Sequence, residues 1–301
     1  MKKIFTVFLL IIGLLSISGC ISSGPSTSSY MTGTQGVTMS FVTNNPPSTV
    51  YYDRSYAEDV SIEVEAFNRG TSPVRNVETF FAGYDPSIVD IGNVDISFSG
   101  PSAYRTRYNP EGGYDIGETH LRVGDLGNAD TYDINLKFVY CYDYETRVGV
   151  QLCVDPNPHR TNREDSCTPA TVSTQGQGAP IGVSSVEIES MPGNTRLKIN
   201  IRHYGQGNVL RSSARCEGIP LREEEDYITF TTPRLGGITG NCITDTNTLK
   251  LRNGQASIIC NFPLDTNRAA YRTILEFEIR DYKIKDSIQR SIKIINEESR
   301  Y

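Results

Sequence analysis

The chain has 301 residues, seven cysteines, no tryptophan and a formal net charge of −6, with 29 basic against 35 acidic side chains. A net-acidic chain without a Lys/Arg cluster repels phosphate backbones at long range, which excludes nucleic acid as an expected partner. Seventeen tyrosines and polar stretches rich in Asn, Thr, Ser and Gly point to strands and turns rather than to a helical fold.

Lys2 and Lys3 precede an apolar run over residues 4–15, IFTVFLLIIGLL. That length is the core of an export signal. It falls short of the roughly 20 residues that a span needs. The following Ile17-Ser18-Gly19-Cys20 resembles the lipobox of bacterial-type lipoproteins, which implies cleavage after residue 19 and lipidation of Cys20. Removal of residues 1–19 leaves 27 basic residues against 35 acidic ones, a net charge of −8. Residues 20–36 then form the lipidated end and a flexible tether, because ISSGPSTSSYMTGTQG has almost no apolar periodicity to order it.

From residue 37 the apolar period is two. Ile62, Val64 and Ala66 alternate with Glu63 and Glu65; Ile134, Leu136, Phe138 and Tyr140 follow the same rule, as do Val148, Val150, Leu152 and Val154. Residues two apart share a sheet face, so these are half-buried strands. A first β-sandwich is expected over 37–155. A Pro-, Asn- and Thr-rich linker follows over 156–179, pinned through Cys167. A second sandwich occupies 180–297, where Leu197, Ile199 and Ile201, and later Leu275, Phe277 and Ile279, alternate with polar residues. Glu223–Asp226 reads as a solvated loop.

The halves also overlay. Ile62–Val74 matches Leu197–Val209 at a shift of 135, including Gly70 on Gly205, and Leu136–Tyr140 matches Leu275–Ile279 at a shift of 139. Near-equal offsets imply a tandem duplication, and the fold class expected is all-β, two tandem antiparallel immunoglobulin-like sandwiches.

With Cys20 assigned to lipid, Cys141, Cys153, Cys167, Cys216, Cys242 and Cys260 remain, an even number that reads as three disulfides in an exported chain. No spacing is C-x-x-C and no histidine sits beside a cysteine at ligand spacing, so a metal centre is not expected. One pairing has a specific argument. Cys141 and Cys153 fall on consecutive expected strands, on the face opposite the apolar positions, and are expected to meet across a hairpin.

The strand, Asn68-Arg-Gly70 turn and following strand, after Pro46-Pro47 and Tyr51-Tyr52, resemble immunoglobulin-like modules of the CARDB type. Tyr140–Thr146, Cys153-Val-Asp-Pro156, Cys167-Thr-Pro169 and Gly176–Pro180 further resemble a group of archaeal exported lipoproteins of tandem β-sandwich build, whose role is not established. The resemblance covers most of residues 37–296 and implies fold and location; it carries no catalytic residue across. The second half lacks partners for Cys141 and Cys153, so the two domains need not share one disulfide plan.

Motifs for hydrolysis, nucleotide binding and zinc proteolysis are absent. His120, His159 and His203 lie in a polar segment, in the linker and at a strand end, which are structural settings. Asp85, Asp90 and Asp95 are read as strand-end solvation, and Asp125, Asn128 and Asp130 as a loop without the ligand order of an EF-hand. Tyr140, Tyr142 and Tyr144 share one face and are read as core. No catalytic residue and no cofactor are expected. The reading is a noncatalytic cell-surface lipoprotein held to a membrane through Cys20, on its outer face, and binding an envelope protein or surface polymer. A glycan- or solute-binding lipoprotein is the alternative.

Overall fold

The structure is a computed structural model that describes residues 32–53, 59–99, 103–160, 164–244 and 246–297. Cys20, the export signal and most of the tether lie outside the described residues. Among the described residues every regular element longer than a turn is a strand. The first half holds β1 (Val37–Phe41), β2 (Thr49–Tyr52), β3 (Asp59–Asn68), β4 (Arg75–Ala82), β5 (Val89–Ile91), β6 (Gly113–Val123) and β7 (Thr131–Val154). The second holds β8 (Val172–Ser173), β9 (Ile181–Met191), β10 (Asn194–His203), β11 (Asn208–Arg211), β12 (Tyr227–Phe230), β13 (Arg234–Leu235), β14 (Ile238–Thr239), β15 (Asn241–Cys242), β16 (Thr248–Lys250), β17 (Gln255–Pro263) and β18 (Tyr271–Asn296).

Two strands organise the rest. β7 is 24 residues long and β18 is 26, against a usual strand of about 5–6. The even-numbered residues of β7 from Ile134 to Val154 stay on one buried face without a phase slip. The two strands pair antiparallel from Tyr271 opposite Val154 to Ile295 opposite Thr131, with one register shift between Ile279 and Tyr282. At a rise of ~3.3 Å per residue the ladder runs on the order of 80 Å.

This central sheet is shared. β4 extends it beside the first part of β7, and β13, β12, β11 and β2 line the other side of β18 in turn, β2 running parallel to its last residues. An outer sheet of order β1-β3-β6-β5 belongs to the first half, and one of order β15-β17-β10-β9-β8 to the second. The orders correspond: β3 lies between β1 and β6 as β10 lies between β9 and β17, and β4 pairs with β7 as β11 pairs with β18. Val37 N–H donates to Tyr142 Oη and the Phe41 ring packs near Phe138, which places the first outer sheet over the Ile134–Tyr144 stretch. Thr146 Oγ1 donates to the Ile181 carbonyl, which brings the second outer sheet over the remainder of β7. One hydrophobic core runs through both, including Ile62, Val64, Leu136, Phe138, Leu197, Ile199 and Ile201. Each such side chain contributes roughly 1.5–3 kcal/mol on burial.

The disulfides correct the expected pairing. Cys141 bonds Cys216, Cys153 bonds Cys167 and Cys242 bonds Cys260. Cys141 and Cys153 cannot meet, because the two expected strands are one extended strand on which they stand about 40 Å apart. The second half therefore does supply a partner for Cys141, namely Cys216. Cys167 pins the segment after β7 as expected, and Ser166 adds hydrogen bonds to the Ala270 carbonyl. The far end of that segment is also held: Gly178 N–H donates to the Gly33 carbonyl, and Thr71 N–H donates to the Gly178 carbonyl. Gly176 and Gly178 have φ of 79° and 66°, and a Cβ at either would collide with Gly33 or Thr71. The all-β architecture with three disulfides fits folding in an oxidising compartment.

Candidate ligand site at the waist

A row of tyrosines fills the interior where the two outer sheets meet. Tyr140, Tyr142 and Tyr144 project from β7, and Tyr282 from β18, with neighbouring ring centroids 6.4, 5.9 and 6.5 Å apart. Their hydroxyls are all used. Tyr140 donates to Asp286; Tyr142 accepts from Val37; Tyr144 accepts from Ser72 N–H and donates to Asn68 Oδ1; Tyr282 shares a bond with Thr146. Burial pushes all four phenols above their ordinary range. They are core, as the sequence indicates, and not a stacking platform.

Outside this row, on the other face of the central sheet, lies a cavity of about 400 Å³ lined by Pro73, Arg75, Asn76, Asp143, Tyr144, Glu145, Ser212, Arg280, Asp281 and Tyr282. Two irregularities produce it. β4 slips register between Arg75 and Glu78, with Asn76 at φ 48°, and β18 slips between Ile279 and Tyr282, with Asp281 at φ 54°. Asn and Asp enter this left-handed region more readily than other side chains, and an extra residue in a strand re-aims its neighbours. The slip in β18 is visible in sequence, where the buried positions pass from Leu275, Phe277 and Ile279 to Tyr282 and Ile284.

The lining carries both charges, and ion pairs run on from it to Arg147 and Glu278 outside the cavity. Arg75 pairs with Glu145 at 3.2 Å, Arg147 with Glu145 at 2.9 Å and with Glu278 at 4.0 Å, and Arg280 with Glu278. Asn76 Nδ2 donates to Asp143 Oδ2 at 2.6 Å, whereas Asp143 Oδ1 is buried without a hydrogen-bond partner. Burial raises the Asp143 carboxyl above the usual carboxylate range, opposed by the Asn76 bond and the charge of Lys283. Lys283 is itself buried, donating to Glu78 and to the Ala214 carbonyl. Asp281 accepts from Thr229 Oγ1 at 2.5 Å. Arg75, Asn76, Arg280 and Ser212 thus line the cavity together with Asp143, Glu145 and Asp281, and several of these polar groups are already paired with one another or with neighbours. Sequence reading missed these residues, because charged side chains on the open face of a strand carry no mark until the bulges gather them.

The other candidates are placed separately. His120 is exposed on β6, His159 lies in the turn after β7, and His203 ends β10 with Nε2 buried and unpartnered, its pKa lowered by burial. Asp85 caps a turn, accepting from Ser87 N–H and Oγ, which lowers its pKa. Asp90 lies on β5 opposite Arg122, and Asp95 is exposed in the segment after β5. Asp125 accepts from Gly127 N–H, and the backbone carbonyls of Ala129 and Asp130 accept from Asn296. Among the described residues no group of three or more His, Cys, Asp or Glu side chains is placed to hold a metal ion. No protein-family model matches the chain, and no curated protein matches it at a significant level.

Proposed function

We propose that the chain is a noncatalytic surface lipoprotein of the cell envelope, anchored by lipid at Cys20 to the outer face of a membrane and acting as a rigid binding or scaffolding module. The supporting observation is the β7–β18 ladder, which runs through both halves with one bulge at Arg280–Asp281 and so joins them in a single sheet. The Cys141–Cys216 bond between the halves and an intervening segment pinned through Cys153–Cys167 reinforce it. The expected tether of residues 20–36 shortens at its far end, because Gly33 and Gly36 are hydrogen-bonded to the body through Gln175, Gly178 and Arg69; the residues ahead of them would hold the module off the membrane for contact with another component. Membership of the CARDB-like archaeal group belongs to the same proposal. The test is fractionation and cross-linking on native cells: the wild type is expected in the membrane fraction with a discrete neighbour, and Cys20→Ser in the medium or soluble fraction. A Cys20→Ser protein that stays membrane-bound removes the anchor from the reading.

A second reading, a glycan- or solute-binding lipoprotein, is favoured by the waist cavity and its mixed donors and acceptors. Thermal unfolding against a panel of glycans tests it, because a ligand that binds only the folded state raises Tm. A shift abolished by Arg280→Ala supports this reading; no shift with any glycan ends it.

A further inference from the structure

The loop between β11 and β12 covers the outer face of the central sheet and is held at its root from several sides. Cys216 is bonded to Cys141 of β7, and both are buried. Lys283 Nζ donates to the Ala214 carbonyl at 2.9 Å and Lys285 Nζ to the Gly218 carbonyl at 2.8 Å. The descending limb is braced as well. Leu221 N–H donates to Glu224 Oε2, Glu224 N–H returns to the Leu221 carbonyl, and Arg211 N–H and Nε donate to the Glu224 and Glu223 carbonyls.

The tip of this braced loop is apolar and unused by the fold. Gly218, at φ 82°, turns the chain outward; Ile219 is 95% exposed and Leu221 59%, with Pro220 between them. A single exposed apolar side chain is ordinary. Two of them flanking a proline, on a loop pinned by a disulfide and two lysines, form a preorganised projection that loses little entropy on binding. Exposed Glu217 and Glu223 stand beside the tip, and Glu224 and Glu225 follow, against Arg215 and Arg222. That acidic flank is repelled by anionic headgroups and complements a basic rim.

We propose that Ile219 and Leu221 are an anchor that inserts into an apolar pocket, rimmed by Lys or Arg, on a partner protein of the envelope. The proposal rests on the binding-module reading and names its contact surface. A photo-reactive benzoyl-phenylalanine is placed in the full chain at 219 and, separately, at the exposed Ile243 on another loop, and both are irradiated on intact native cells. The protein captured at 219 is then produced, and its affinity for the full chain is measured. The expected result is one discrete adduct at 219 that is absent at 243. Affinity is expected to fall at least about tenfold with Ile219→Asp or Leu221→Asp and to stay within about twofold with Ile219→Leu. It should also weaken as salt rises from about 0.05 to about 0.5 M. Because neither side chain is buried, both Asp variants should keep the wild-type unfolding midpoint. Protein adducts at 243 with none at 219 overturn the anchor and leave the binding-module reading standing. Lipid labelling at 219, an adduct to a second copy of this chain, or affinity unchanged by Ile219→Asp overturns the anchor as well. The reading itself fails separately, if no position on the surface captures a protein.

Discussion

The turns after β3 and β10 occupy corresponding places in the two outer sheets and are built from different chemistry. At the first, buried Asn68 is fully engaged: Nδ2 donates to the Ser72 and Ala103 carbonyls at 2.9 Å, and Oδ1 accepts from Gly70 N–H and from Tyr144. A Cβ on Gly70 would lie within 1.9 Å of Tyr144 Oη. At the second, His203 takes the place of Asn68, its Nε2 finds no partner, and its cation is disfavoured by burial. Both turns carry a glycine, in much closer approach at Gly70 than at Gly205, while satisfaction of the buried polar group is a local matter. Where it is met, the turn becomes a knot between sheets; where it is not, the turn becomes a pH-sensitive spot.

The same contrast runs through the disulfides. Cys242–Cys260 is local, joining β15 to β17 within the second outer sheet, whereas Cys141–Cys216 joins residues 75 apart and ties the second half to β7. A longer closed loop restricts the unfolded chain more. Replacing Cys141 and Cys216 together by alanine is expected to cost about 4.5 kcal/mol in denaturant unfolding, and Cys242 with Cys260 about 3 kcal/mol. Equal costs would mean that the bond between the halves constrains no more than the local one.

Asn68→Ala comes next, at about 2–3 kcal/mol, because it strands a backbone donor, two carbonyls and a tyrosine hydroxyl in the interior. His203→Ala at neutral pH should cost about 1 kcal/mol or less, and a reversal of that order would break the comparison between the turns. The pH profile sharpens it further. A base with a lowered folded pKa leaves stability intact above its ordinary value of 6.5 and removes it as pH falls below that value. His203→Asn should therefore flatten the decline in wild-type stability below pH 6.5 and change the slope little above it, read from unfolding midpoints across pH. The smallest effect expected is that of Arg147→Ala in the exposed ion-pair chain. It should stay below about 1 kcal/mol and vanish in high salt.

Legibility in the sequence followed distance along the chain. The alternation at Ile62, Val64 and Ala66, at Leu197, Ile199 and Ile201, and at Leu275, Phe277 and Ile279 identified strands and their buried faces, and all nine residues are in the core. The same alternation runs unbroken from Ile134 to Val154, yet taken as two consecutive strands it implies a Cys141–Cys153 hairpin that the single strand β7 rules out. The phase slip before Tyr282 was equally present, and its meaning, a bulge facing a second bulge at Asn76, depended on which strands lay side by side.

By itself the sequence determined the all-β character, the face each strand buries and an even set of cysteines matched to oxidation. These rest on the geometry of a single extended segment, in which neighbouring side chains must point to opposite faces. Only the tertiary structure decided that β7 and β18 run together through both halves, that Cys141 meets Cys216, and that Arg75, Asn76, Asp143 and Asp281 surround one cavity. Those outcomes join segments dozens of residues apart. They are selected by the joint burial of two faces and the pairing of two backbones, which no single segment encodes.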